Sequence, residues 1–262
     1  MGAADVRLSG QGKPRKKNHD GLSATIPWMT SSVANSPVWS VVERAVMAAR
    51  DARLDLDDPR RGLVLPTGDA VLGIDLRAAC RPSDRWLRDD DLIAIYEPAD
   101  ARRLRATAAW RPFGQPEIAA CSAWMLTLSS QTALVQSDSA LAVTCDVACA
   151  DLLASHDPAG AAWTPAADGQ LPDTATCLLV RRPAAAATSL FVAVHPADAR
   201  RIVLRRNAGR ATIACWLFSS LIEKGVLLRG RVLAAVGPAA GDESWAAAIG
   251  AAFAAAPPPL SA

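Results

Sequence analysis

The sequence predicts a mainly β protein, a large antiparallel β-sandwich with a C-terminal helix and a possible N-terminal helix, on three observations. Strict alternation recurs along the chain. In residues 103–111, Leu104, Ala106, Ala108 and Trp110 fall on one side, with Arg103, Arg105, Thr107 and Arg111 on the other. Such a pattern needs one dry face and one wet face, which antiparallel sheets provide. Turn-forming residues separate the alternating runs at short intervals, as in many-stranded sandwiches. A hexamer, Pro98-Ala99-Asp100-Ala101-Arg102-Arg103, also returns 98 residues later as Pro196-Ala197-Asp198-Ala199-Arg200-Arg201. Each copy sits between an apolar run and an alternating run, and so reads as strand, turn, strand.

Taken in order, residues 1–34 are rich in Gly, Ser, Lys and Asn, with a basic cluster from Lys13 to Lys17, and read as a disordered tail. Ser36-Pro37 is a helix start, and Trp39, Val42, Val46 and Ala49 share one helical face, so a helix is expected to about Arg53. The competing reading is a pair of strands, 39–42 and 53–56. Residues 62–66 and 70–76 are short strands around the turn Thr67-Gly68-Asp69. Ser122 to Ser129 alternates with Trp124, Leu126 and Leu128 inward, and 141–145 closes a first half, 35–150.

Residues 151–173 are rich in Pro, Gly and Ala and read as a connecting loop. The second half, 174–256, resumes with 177–180. It continues with Ala211, Ile213, Cys215 and Leu217 on one face, and then Val226, Leu228, Gly230, Val232, Ala234 and Val236 on one face opposite Arg229 and Arg231. Trp245 to Ala256 is an Ala-rich helix stopped by Pro257-Pro258-Pro259, and 257–262 is a tail. At the hexamer offset Leu104 aligns with Ile202. Either a duplicated β half-domain or convergent turn chemistry explains this. Two halves would give a supersandwich like that of mutarotase-like proteins. The segment from Leu221 to Arg231, with Glu223-Lys224-Gly225-Val226 opening a late strand, resembles a segment of uncharacterised bacterial proteins of planctomycete type. That resemblance implies a β-rich fold and transfers no active residue.

Lys+Arg 28 against Asp+Glu 26 leaves a formal charge of +2, so no global field points to nucleic acid or an anionic membrane. No run of about 18 apolar residues offers a membrane span. The six cysteines lie in apolar surroundings without zinc-ligand spacing, which suggests reduced buried thiols and a cytoplasmic setting. Neither a cofactor nor a metal is expected. Asp84 with Asp89-Asp90-Asp91 supplies oxygens but lacks the spacing of a calcium loop. The tryptophans Trp86, Trp110, Trp124 and Trp216 lie on strands, where a core role is the first expectation.

The first functional reading is a non-catalytic sandwich that binds a protein or carbohydrate partner by a sheet face or edge. The alternative is a mutarotase-like carbohydrate-active enzyme. Glu97 and His195 occupy matching positions before the two hexamers and would serve as its acid and base. A third reading is polyanion binding by Arg201, Arg205 and Arg210, since Arg201 and Arg205 share a strand face.

Overall fold

The computed structural model describes residues 38–43, 46–49, 52–77, 79–99, 104–114, 120–138, 140–159, 162–198, 200–218 and 220–257. The tail at 1–34, the Ser36-Pro37 helix start and residues 100–103 of the first hexamer lie outside them, as do residues 258–262.

The chain begins with short strands β1 (Trp39–Val41), β2 (Val46–Ala49), β3 (Ala52–Asp55) and β4 (Leu63–Val64), followed by β5 (Ala70–Asp75), β6 (Pro82–Arg88), β7 (Asp91–Tyr96), β8 (Arg105–Pro112) and β9 (Ser122–Gln131). Next come β10 (Gln136–Asp138), β11 (Leu141–Ala148), β12 (Asp151–Ser155), β13 (Thr164–Pro165), β14 (Gly169–Gln170) and β15 (Cys177–Arg181). The last strands are β16 (Thr188–Val194), β17 (Arg200–Asn207), β18 (Arg210–Leu217), β19 (Leu221–Glu223) and β20 (Leu228–Pro238), before helix α1 (Asp242–Ala255).

Two nine-stranded antiparallel sheets pack together, and β10 pairs separately with β19. The first sheet has the order β1-β2-β3-β4-β5-β11-β18-β17-β14, and the second β13-β12-β15-β16-β20-β9-β8-β7-β6. The sandwich class and the C-terminal helix are therefore as the alternation predicts. Of the residues expected inward, Leu104, Ala106, Ala108 and Trp110 join Trp124, Leu126 and Leu128 in the core between the sheets. Ala211, Ile213, Cys215 and Leu217 meet them from the opposite sheet.

Three aromatic side chains bury their rings between the sheets and spend their polar tips on backbone carbonyls. Trp110 Nε1 donates to the Leu72 carbonyl at 3.1 Å, Tyr96 Oη to Leu56 at 3.2 Å, and Trp39 Nε1 to Asp90 at 2.9 Å. The first bond joins a strand of one sheet to a strand of the other, and the other two reach the turn after β3 and the turn between β6 and β7, all satisfying groups that would be costly to bury alone. Leu72 adopts a positive φ of 55°, beside a register break between β5 and β11. A buried ion pair adds a fourth link. Asp69, just before β5, meets Arg182, just after β15, and both side chains are 1% exposed.

Three expectations need correction. The helix over 36–53 is replaced by the hairpin strands β1, β2 and β3, closer to the competing strand reading; Trp39, Met47, Ala52 and Leu54 bury their side chains. The stretch 151–173 is not all loop, because β12 pairs along its whole length with β15. Its Leu152 and Leu153 are buried on opposite faces, one against the inter-sheet core and the other under the helix layer, so no alternation shows. The stretches 35–150 and 174–256 do not form separate halves, since each sheet interleaves strands of both: β11 lies beside β18, and β9 beside β20.

The hexamers occupy unlike connections. The first links β7 to β8, neighbours in one sheet, whereas the second links β16 in the second sheet to β17 in the first. The two copies therefore sit in connections of different kinds.

Candidate functional site

Glu97 and His195 are not brought together. β7 and β16 are separated by β20, β9 and β8, four strand steps of about 4.8 Å, or roughly 19 Å. The row through His195 runs by way of Arg231, Thr127 and Ala109 to Ile93. Glu97 lies four residues beyond Ile93, roughly 13 Å along the strand. Its half-exposed carboxylate pairs with Arg105 Nε at 2.8 Å.

His195 is buried on the outer face of the second sheet, beneath the end of α1. Its ring meets Phe253 edge-on at 5.3 Å. Nδ1 accepts from Arg231 Nη2 at 2.8 Å and from the Ala197 N–H at 3.2 Å, which assigns the ring proton to Nε2. Arg231 also donates to Asp198, through its backbone N–H at 2.8 Å and Nε at 3.3 Å, and through Nη1 to the Ala256 carbonyl at 3.3 Å. Burial first, and then the Arg231 charge, hold the imidazole below its ordinary value, while Asp198 and the Ala254 backbone act in the other direction. The cluster clamps the helix C-terminus and keeps the imidazole neutral. The opposite end of α1 is clamped likewise: Arg181 donates to Asp242 at 3.0 and 3.1 Å, and Ser189 donates to Asp242 at 2.9 Å.

Helix α1 covers only part of the outer face of the second sheet. Trp245, Ala246, Ile249 and Phe253 pack over Leu179, Phe191, Leu233 and Ala235 of β15, β16 and β20. Beyond them, β6 to β9 carry an open groove of about 500 Å³. Its floor is built from outward-facing Ile93, Thr107, Ala109, Met125 and Thr127, with Trp86, Arg88, Leu227 and Arg229 at the rim. Trp86 is 40% exposed. Arg111 holds Asp91 with two bonds of 2.6 Å, a planar bidentate pair fixed in the lining. Donating to the Asp91 carboxylate is the main reason the Arg111 guanidinium is held above its ordinary value.

The sequence placed Trp86 with the core tryptophans. Trp110 and Trp124 are indeed buried, but Trp86 stands on the last strand of its sheet, beside which no further strand lies among the described residues. Counting register back from the β7–β8 pairing, in which Leu92 faces Trp110, would have placed Asp91 opposite Arg111.

The outer face of the first sheet carries the cationic candidates. Ile202 and Leu204 point into the core, so Arg201, Val203 and Arg205 point outward. Arg201 lies over the Trp216 ring, 5.4 Å from its centroid, and neither Arg201 nor Arg205 has a carboxylate partner among the described residues. Arg210 does not join them. It is spent on Asp146, with Nε donating to the carboxylate and Nη2 to the backbone carbonyl, both at 2.9 Å.

A larger hollow of about 770 Å³ lies at one end of the sandwich, lined by Asp57, Asp58, Arg60, Asp75, Arg77 and Cys80 among others. Its charges are largely answered within the protein: Arg60 faces Asp75 at 3.7 Å, and Arg77 bonds Asp138 at 2.7 Å. All six cysteines are free thiols, four of them buried. Burial pushes Cys145 up to about 12 and Cys177 up to about 11, which makes both poor nucleophiles. Among the described residues no group of three or more His, Cys, Asp or Glu could hold a metal ion, and no helix is long and apolar enough to cross a membrane. No protein-family model matches the chain, and no curated protein does.

Proposed function

We propose that this chain is a non-catalytic binding protein whose ligand, a short carbohydrate chain, lies in the groove over β6 to β9. The observation that carries the reading is the exposed Trp86 ring beside the fixed Asp91–Arg111 pair, on the part of the sheet that α1 leaves open. A sugar ring presents an apolar face that stacks on an indole and hydroxyls that suit bidentate carboxylate and guanidinium groups. Thr107, Thr127 and Ser129 add hydroxyl partners, and the groove volume is in the range of small-ligand sites. The wide separation of Glu97 from His195 supports a site that binds without an acid–base pair.

Screening the protein against neutral oligosaccharides, followed by calorimetry on any hit, tests this. Trp86→Ala should weaken binding about tenfold, the equivalent of one good aromatic contact. Absence of binding to every oligosaccharide tried, or equal affinity in Trp86→Ala, would refute it.

A second reading, polyanion binding, is favoured by one observation: Arg201 and Arg205 are co-facial cations without carboxylate partners among the described residues, roughly 13 Å apart along β17. It expects retention on a polyphosphate or sulfated matrix that falls with salt and is lost in Arg201→Glu/Arg205→Glu. Retention unchanged by the double substitution would end it.

A further inference from the structure

The second sheet ends at β6, whose outer edge pairs with no strand among the described residues. An unpaired edge is a template for another strand, and edges are commonly guarded by charge or made short. β6 is seven residues long and carries Trp86 and Leu87, both exposed, at 40% and 44%. Its partner on the inner side is β7, joined through Asp89 and Asp90, with Asp89 at a positive φ of 51°.

A two-residue connection makes Arg88 and Asp91 a hydrogen-bonded pair. The antiparallel alternation then turns the N–H and C=O groups of Trp86 and Asp84 toward β7, and those of Arg85 and Leu87 outward. The Arg85 N–H is accordingly outside the ladder, taken up by the Asp84 carboxylate at 2.7 Å.

We propose that β6 pairs antiparallel with β6 of a second copy of this chain, about a two-fold axis through Trp86, so that two nine-stranded sheets become one. Backbone parity and charge select this register together. With Trp86 opposite Trp86, the outward groups of Arg85 face those of Leu87 in the other copy, and the reverse, giving two hydrogen-bonded pairs on either side of the axis. Asp84 then stands opposite Arg88, twice by symmetry, and exchanges its own Arg85 N–H for a guanidinium. The central Trp86 pair is a non-hydrogen-bonded one, the kind that brings side chains closest. Moving the axis to Arg85 sets arginine against arginine. Moving it to Leu87 sets Asp84 against Asp90. An isologous contact of this kind uses both β6 edges on each other and so closes at a dimer.

The test is sedimentation of the full chain over a range of concentrations, with circular dichroism to confirm that each variant is folded. The parent should approach twice its 27.4 kDa mass at high concentration. Arg85→Pro removes an outward N–H without touching the β6–β7 ladder and should sediment as a monomer. Asp84→Arg sets cation against cation and should do the same, while Asp84→Arg combined with Arg88→Asp should restore the dimer. A parent that stays monomeric at every concentration, a dimer that survives Arg85→Pro, or a charge swap that fails to restore association would overturn the proposal. The two readings share Trp86 and Arg88, but Arg85 lies outside the groove lining, so oligosaccharide binding and dimerisation are separable in Arg85→Pro.

Discussion

Replacing Asp69 with alanine removes the anion from a site in which nearly every neighbour depends on it. The carboxylate accepts from the Arg182 guanidinium, from Thr67 Oγ1 at 2.9 Å and from the Ala148 N–H at 2.7 Å. Without it, Arg182 keeps only Thr188 at 2.8 Å and Thr67 at 3.0 Å, at a position 1% exposed, and its Nε already lacks an acceptor. Breaking one side of a buried pair costs about 3–5 kcal/mol, because the surviving charge is left without compensation. For a chain of this size that lowers the melting temperature by on the order of 10 °C. Arg182→Met alone strands the carboxylate and should cost a similar amount. Asp69→Ala combined with Arg182→Met removes both charges and should recover most of the loss. Arg210, 4.0 Å from Asp69 and 44% exposed, offers little replacement. Urea unfolding at neutral pH, followed by fluorescence and circular dichroism together, gives the four free energies. Single variants within about 1 kcal/mol of the parent, or a double variant no better than the singles, would refute the reasoning.

Two further predictions follow from the attachment of α1. His195 is held below its unfolded value of 6.5, so between the two values the unfolded chain takes up a proton that the folded chain does not. Its contribution to stability is therefore complete above pH 6.5 and lost as pH falls through the folded value, and His195→Gln should flatten that part of a stability–pH profile; an unchanged slope would contradict the assignment. Gly250→Ala gains helix propensity, yet a Cβ there would stand 1.9 Å from the Pro158 carbonyl oxygen and 3.1 Å from Phe191 Cζ. The helix must lift, so a net loss of about 1–3 kcal/mol is expected in denaturant unfolding, whereas a gain would show that α1 is not seated against Pro158.

The parts of the fold that were legible in the sequence are those with one wet and one dry face. Residues 104–110 and 211–217 alternate because water lies on one side of them and the inter-sheet core on the other. β12 was hidden because Leu152 and Leu153 are both buried, which erases the period. The early strands favour a helix reading over the competing strand reading because strands of three or four residues are too short to display a period of two, and Trp39, Val42, Val46 and Ala49 fit a helical spacing by coincidence. The candidate sites were less legible still. A polar letter at a strand end does not say whether the chain will cover it: Glu97 meets solvent, and His195 lies under Phe253. The exposure of Trp86 depends on strand order, which is a property of pairings between distant segments and leaves no local trace.

Strand order also governs how the chain can be made. β9 at residues 122–131 waits for β20 at 228–238, and β11 at 141–148 waits for β18 at 210–217. During synthesis the first 150 residues therefore emerge as two incomplete sheets, each with a long apolar edge open, and neither can close until the last quarter of the chain leaves the ribosome. Truncation or slow translation beyond residue 150 would thus leave an aggregation-prone intermediate.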